Sequence, residues 1–219
     1  MACSPSHNNN AWNLTIDLFV KPKECSCGCH NLQVEQELNF ALLFEPKEKY
    51  QIDNQAPFAE RAKAYIEGEG KRLDAYLEGK GRSAYELAGV GTTNLETAVA
   101  AALITNDKAY ILGDTHFDKK IEQLARHYNM PKEWVERYIL DHENTHRWQK
   151  GEYLKNERAA ERDVEKTVYD YYTSLKDADP AHADMYDALA GIAGDRFESV
   201  DQNYAPAPDY SSVGESIAA

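Results

Sequence analysis

The stretch that decides the reading runs from Pro131 to Gln149, PKEWVERYILDHENTHRWQ. Proline suits the first turn of a helix, where its missing N–H is not needed, and Lys132-Glu133 follow it. The helix is expected to continue to about Gln149 and to break at Gly151. Inside it, residues 142–146 read His-Glu-Asn-Thr-His, an H-E-x-x-H pattern. Four residues advance a helix by ~6 Å and nearly one rotation, so His142 and His146 leave the same face and can hold one ion. Glu143, one residue on, lies beside such an ion and reaches a water on it rather than the ion itself. Val135 and Ile139 share the stripe, so the imidazoles extend the buried face of the helix. Zinc held in this way lowers the pKa of its water to about 7, and the neighbouring carboxylate takes the proton as that water attacks a carbonyl.

Two histidines need a third protein ligand. The next helix, expected from about Tyr153 to Leu175, opens with Asn156-Glu157-Arg158-Ala159-Ala160-Glu161. In an antiparallel hairpin turning at Gly151-Glu152, Glu157 faces His146 and Glu161 faces His142, since both pairs share that midpoint. One glutamate then completes the site, and the other accepts the outer N–H of a ligand histidine. The competing reading is a solvated, Glu-rich helix face, to which Arg162 and Glu165 would also belong.

Taken together, His142-Glu143-x-x-His146 and Glu157-x-x-Ala160-Glu161 resemble the gluzincin branch of the zincin metallopeptidases. The small minigluzincins and the ImmA/IrrE-like group are the nearest shapes, and the resemblance covers roughly residues 95–175. It implies zinc held by His142, His146 and Glu157, with Glu143 as general base and acid. It also implies that the strands near 98–112 form the sheet edge that aligns a peptide. An oxyanion donor downstream is implied too, and Tyr153, Tyr169, Tyr171, Tyr172 and His182 are all available for it. The chain departs from the pattern in three places. Eleven residues separate His146 from Glu157, a short interval; Asn144 replaces a usually apolar residue; and Glu161 stands where Asp or Asn is usual. Glu161 therefore stays open as the ligand.

Outside this core, Trp12–Val20 alternates like a half-buried strand, and Leu32–Phe44 begins in the same way, so residues 12–44 read as a long-looped hairpin. Its loop holds Cys25, Cys27, Cys29 and His30, which read either as a second metal site, as a latency device capping the catalytic zinc, or as a plain thiol-rich loop. Three thiols so close together staple no fold. Residues 58–81 read as helix, interrupted at Gly68 and Gly70. Two short strands, 98–105 and 109–112, flank a tight turn at Asn106-Asp107-Lys108. Helices follow over 117–128, 131–149, 153–175 and 180–200. The isolated His7, His116, His127 and His182 read as surface or capping residues.

The fold class expected is α+β and zincin-like: a small, mainly antiparallel sheet, an active-site helix and a helical C-terminal half. The organisation expected is residues 1–94 as hairpin and helical segment, 95–200 as metallopeptidase core, and 201–219 as a flexible, Pro- and Ser-rich tail. With Asp and Glu at 37 against Lys and Arg at 24, the net charge of −13 disfavours nucleic-acid binding. The longest apolar run, Ala98–Ile104, is seven residues, too short to span a membrane, and the first residues lack the marks of a signal peptide. A cytoplasmic zinc endopeptidase acting on peptides or proteins is the leading expectation. The alternative is a non-catalytic binding or regulatory protein of the same fold with a structural zinc. A four-helix di-iron oxidase would need two Glu-x-x-His pairs, and Glu143-x-x-His146 is the single one in the chain.

Overall fold

The computed structural model describes residues 40–43, 50–95, 98–151, 153 and 156–203, with 40–43 and 201–203 as backbone. Its elements in chain order are β1 (Phe40–Leu43), α1 (Pro57–Glu67), α2 (Lys71–Gly79), β2 (Glu86–Thr93), β3 (Ala100–Thr105), β4 (Lys108–Asp114), α3 (Phe117–His127), α4 (Lys132–His146), α5 (Glu157–Ala178) and α6 (Ala183–Asn203). A short 3-10 turn, Pro180–His182, precedes α6. The class is α+β.

The expected turn between β3 and β4 is present. Asn106 and Asp107 both take positive φ, 50° and 59°, as a two-residue hairpin turn with matching twist requires. Along β3 the pleat sorts side chains. Ala100, Ala102 and Ile104 face the helices, while Ala101 and Leu103 join Leu112, Tyr50 and Ile52 on the other side. The small side chains of Ala100 and Ala102 let the helical layer lie close to this strand.

The strand order is β1-β3-β4-β2, with β1 parallel to β3, β3 antiparallel to β4 and β4 parallel to β2. The sheet is therefore mixed, which corrects the mainly antiparallel sheet expected. The reason lies in the crossing from β2 to β3, which passes over the end of β4. Asp114 pins that crossing: its carboxylate accepts from Leu95 N (3.1 Å) and its own N–H donates to Val99 O (2.9 Å). Strand β4 thus inserts between β2 and β3 and takes β2 in parallel. A second correction follows. The strands near 98–112 are interior, with β1 and β2 at the edges of the described sheet. Of the expected 12–44 hairpin, 40–43 is a strand paired with β3; the rest, including Cys25, Cys27, Cys29 and His30, lies outside the described residues, as do residues 204–219. Residues 201–203, expected in the tail, continue α6.

Pro57 opens α1, and Phe58, Ala59, Ala62 and Ile66 bury one face of it. The chain then turns tightly into α2 at Gly70, where a Cβ would lie 2.9 Å from Ile66 Cα, so only glycine allows the approach. The main core runs from Phe58 to Val200 and draws on residues from both sides of position 94. Helix α4 lies at its centre: every residue from Arg137 to His146 is buried. Among the described residues, no helix is long and apolar enough to cross a membrane.

Candidate metal centre

Helix α4 delivers His142 and His146 from one face, as the spacing requires, with ring centroids 5.0 Å apart. Helix α5 answers from across. Its cap is Asn156, whose side chain accepts from Ala159 N (3.1 Å), and Ala160 packs on Ala102, Ile104 and Ala109 of the sheet. That packing sets the next residue, Glu161, against α4. Glu161 Oε2 lies 3.4 Å from His142 Nε2, and Glu161 Oε1 lies 3.3 Å from His146 Nε2. All three side chains have no exposed surface.

These distances carry information. A charge-assisted N–H···O bond is about 2.7–2.9 Å. Two ligand atoms on a tetrahedral zinc, with bonds of roughly 2.0–2.1 Å, stand about 3.3 Å apart. The Glu161 oxygens and His146 Nε2 are buried and make no hydrogen bond, the condition of ligand atoms facing a common point. Among the described residues, His142, His146 and Glu161 form a group whose candidate ligand atoms all lie within 4.8 Å of one another. A divalent cation fits this donor set.

Glu157, the ligand the resemblance implies, is outside that group, and Glu161, the alternative left open, is inside it. Glu157 opens α5, whereas Glu161, one turn deeper, stands level with both imidazoles. Both Glu157 oxygens are buried without a hydrogen-bond partner, and burial followed by the charge of Glu161 pushes its carboxyl up to about 8. Glu143 is likewise wholly buried, with neither oxygen hydrogen-bonded. Burial raises its carboxyl to about 7, with His142 and His146 opposing.

Around the candidate ligands stands a polar shell that the sequence reading does not contain. Glu165 Oε1 lies 3.2 Å from His142 Nδ1, so it holds the ring from behind. Tyr138 donates its hydroxyl to Glu165 Oε2 (2.7 Å), and Arg196 of α6 donates Nε to Glu165 Oε1. The competing reading places Glu165 on a solvated face; it is fully buried. The signal was its place four residues after Glu161, on the same helix face. Burial disfavours the charge on His142, but Glu165 and Glu161 outweigh it and raise the imidazole to about 9. Glu161, against its own burial, is held well below the ordinary carboxylate range by His146 and His142.

Three of the five candidate oxyanion donors are exposed or engaged with other groups. Tyr172 donates to Asp141 (2.8 Å), Tyr169 is exposed, and His182 pairs with Asp179 (3.0 Å), so the structure assigns no oxyanion donor among these three. His116 flanks the start of α3, and His127 packs its ring on Tyr128, in keeping with the roles expected of them. The chain was compared with models of known protein families, with curated proteins and with solved structures, and it matches none of them.

Proposed function

We propose that the protein is a zinc-dependent metallopeptidase in which His142, His146 and Glu161 hold the ion and Glu143 acts as general base. The observation that carries this reading is the pair of distances from the Glu161 oxygens to the two Nε2 atoms, 3.4 and 3.3 Å, in a group with no exposed surface. Two nitrogens and one carboxylate, with no sulfur, match the ligand type of hydrolytic zinc sites that keep a fourth position for chemistry. When bound, the ion supplies Lewis-acid polarisation of a carbonyl and a nucleophile available at neutral pH. The chain supplies the rest. Glu143 leaves α4 beside the ligand pair with both oxygens uncommitted, so it takes the nucleophile's proton and returns it to the leaving amine. Glu165, held by Tyr138 and Arg196, keeps His142 turned toward Glu161.

A second reading has an observation of its own. His142, Glu143, His146 and Glu161 are all at 0 % exposure, which also suits a structural ion clamping α4 to α5 in a protein without hydrolytic activity. Peptide-library turnover by the zinc-loaded protein and by Glu143→Gln separates the two. The peptidase reading expects turnover in the parent and a loss of roughly 100-fold or more in Glu143→Gln, with zinc retained. Equal turnover in both would remove Glu143 as the base. A zinc-loaded parent that cleaves nothing, yet unfolds on chelation, would establish the structural reading.

A further inference from the structure

The outer nitrogen of His146 meets a device that the ligand set alone does not explain. Its Nδ1 lies 2.8 Å from Oε1 of Gln149, a residue with no exposed surface just beyond the end of α4. The orientation of that amide is determined by its other contacts. Gln149 Nε2 is 2.7 Å from the carbonyl oxygen of Ala160, which can only accept, and 2.9 Å from Asp163 Oδ2. A flipped amide would set oxygen against both acceptors. The nitrogen end therefore points to α5, and the oxygen end must face His146.

An amide oxygen accepts, so His146 Nδ1 carries the proton and donates it. In the neutral ring this leaves the lone pair on Nε2, the atom turned toward Glu161 (3.3 Å). Asp163 is itself held in place. Arg82, just after α2, grips it through two parallel bonds of 2.7 Å each and also reaches Thr167 Oγ1 (3.2 Å).

We propose that Gln149 is a positioning residue for the metal centre. Anchored on Ala160 O and on the Arg82–Asp163 fork, it locks His146 in the Nδ1–H tautomer and presents Nε2 to the ion. This rests on the ion reading given above and goes beyond it. The ligand helix is keyed to the helix of the third ligand by a side chain that touches neither ion nor substrate. Removing the amide frees the ring to rotate and to protonate at Nε2, so ion affinity falls although all three ligands remain.

The test uses the full chain, zinc and the Gln149→Met variant, which keeps the volume and removes the hydrogen bonds. Competition with a chelator of known affinity gives the zinc affinity. Long-range nitrogen–proton correlation spectra of the zinc-loaded parent give the protonated nitrogen of each histidine. The proposal expects a 10–100-fold weaker zinc affinity in Gln149→Met, and a parent in which His146 carries its proton on Nδ1. Unchanged affinity in the folded variant overturns it while leaving the ion reading intact. So does a parent spectrum with His146 protonated at Nε2, a readout that needs no variant to fold. A parent that binds no zinc overturns the ion reading and this inference with it.

Discussion

Glu165 shows how much a single buried side chain can be asked to do. Its carboxylate accepts from Tyr138, pairs with Arg196 and backs His142, all of them buried. Arg196 holds it below the ordinary carboxylate range, against the effect of burial and together with His142. Replacing Arg196 by Met leaves this charge buried without its cation, a change that costs about 3–5 kcal/mol. Urea unfolding of the zinc-free variant should show a loss of that size, and a loss below about 1 kcal/mol would mean the pair is not buried as described. At this scale the two imidazoles and Glu143 were legible in the sequence, because helical period alone sets their directions. Which glutamate stands between the two rings was not. A midpoint argument gives level, but it cannot tell that Ala160 seats on β3 and carries Glu161 to a place between both rings. Glu165 enters only the competing, solvated-face reading, because its partner Arg196 comes from α6, far along the chain, and charge periodicity does not reveal a partner of that kind.

Helix α5 carries Glu161, the proposed third ligand, in its first turns, so what orders that end orders the candidate centre. The Asn156 side chain caps Ala159 N, and Asn156→Ala should lower stability by about 1 kcal/mol in thermal or urea unfolding. An unchanged midpoint would show that the cap contributes nothing. The helices were legible as elements, since each has an apolar stripe and a clear break: Gly68 and Gly70 after α1, Asn129 in the left-handed region after α3, Gly151 after α4. Strand β2 was not read as an element. Its sequence, ELAGVGTT, has two glycines and no clean alternation, and its definition comes from pairing with β4 and from close approach. A Cβ on Gly91 would lie 2.5 Å from Ile52 Cγ2 and 2.8 Å from Asp53 O, where the chain bridges Asp53 to Thr92. Gly91→Ala should therefore cost about 1–3 kcal/mol, measured by urea unfolding. A neutral substitution would show that this bridge yields freely.

For the molecule as a whole, the centre is embedded in a helical layer rich in buried phenols. Tyr65 and Tyr172 donate to the two oxygens of Asp141, Tyr138 donates to Glu165, and burial raises all three hydroxyls well above their ordinary range. Burial also pushes Tyr128 up to about 12, with Arg196 opposing. A raised phenol keeps its proton in the folded state after the unfolded chain has released it. The folded state then binds more protons, and stability falls as pH rises from about 10 toward 12. Tyr128 alone contributes a decline of roughly 2 kcal/mol across that window, and Tyr128→Phe should flatten the stability–pH curve by that amount. Urea midpoints taken at pH 10, 11 and 12 check this, and a stability constant over that range would contradict it. Acidic composition gave the overall charge without indicating where these groups sit, because burial is a property of packing and not of content.

The central claim is that His142, His146 and Glu161 converge on one divalent ion while Glu157 stands aside. Metal analysis after equilibration with a limiting excess of zinc and desalting tests it most directly, on the parent and on Glu161→Gln and Glu157→Gln. One zinc per chain is expected in the parent and in Glu157→Gln, with most of it lost in Glu161→Gln. Zinc retained in Glu161→Gln and lost in Glu157→Gln would contradict the account.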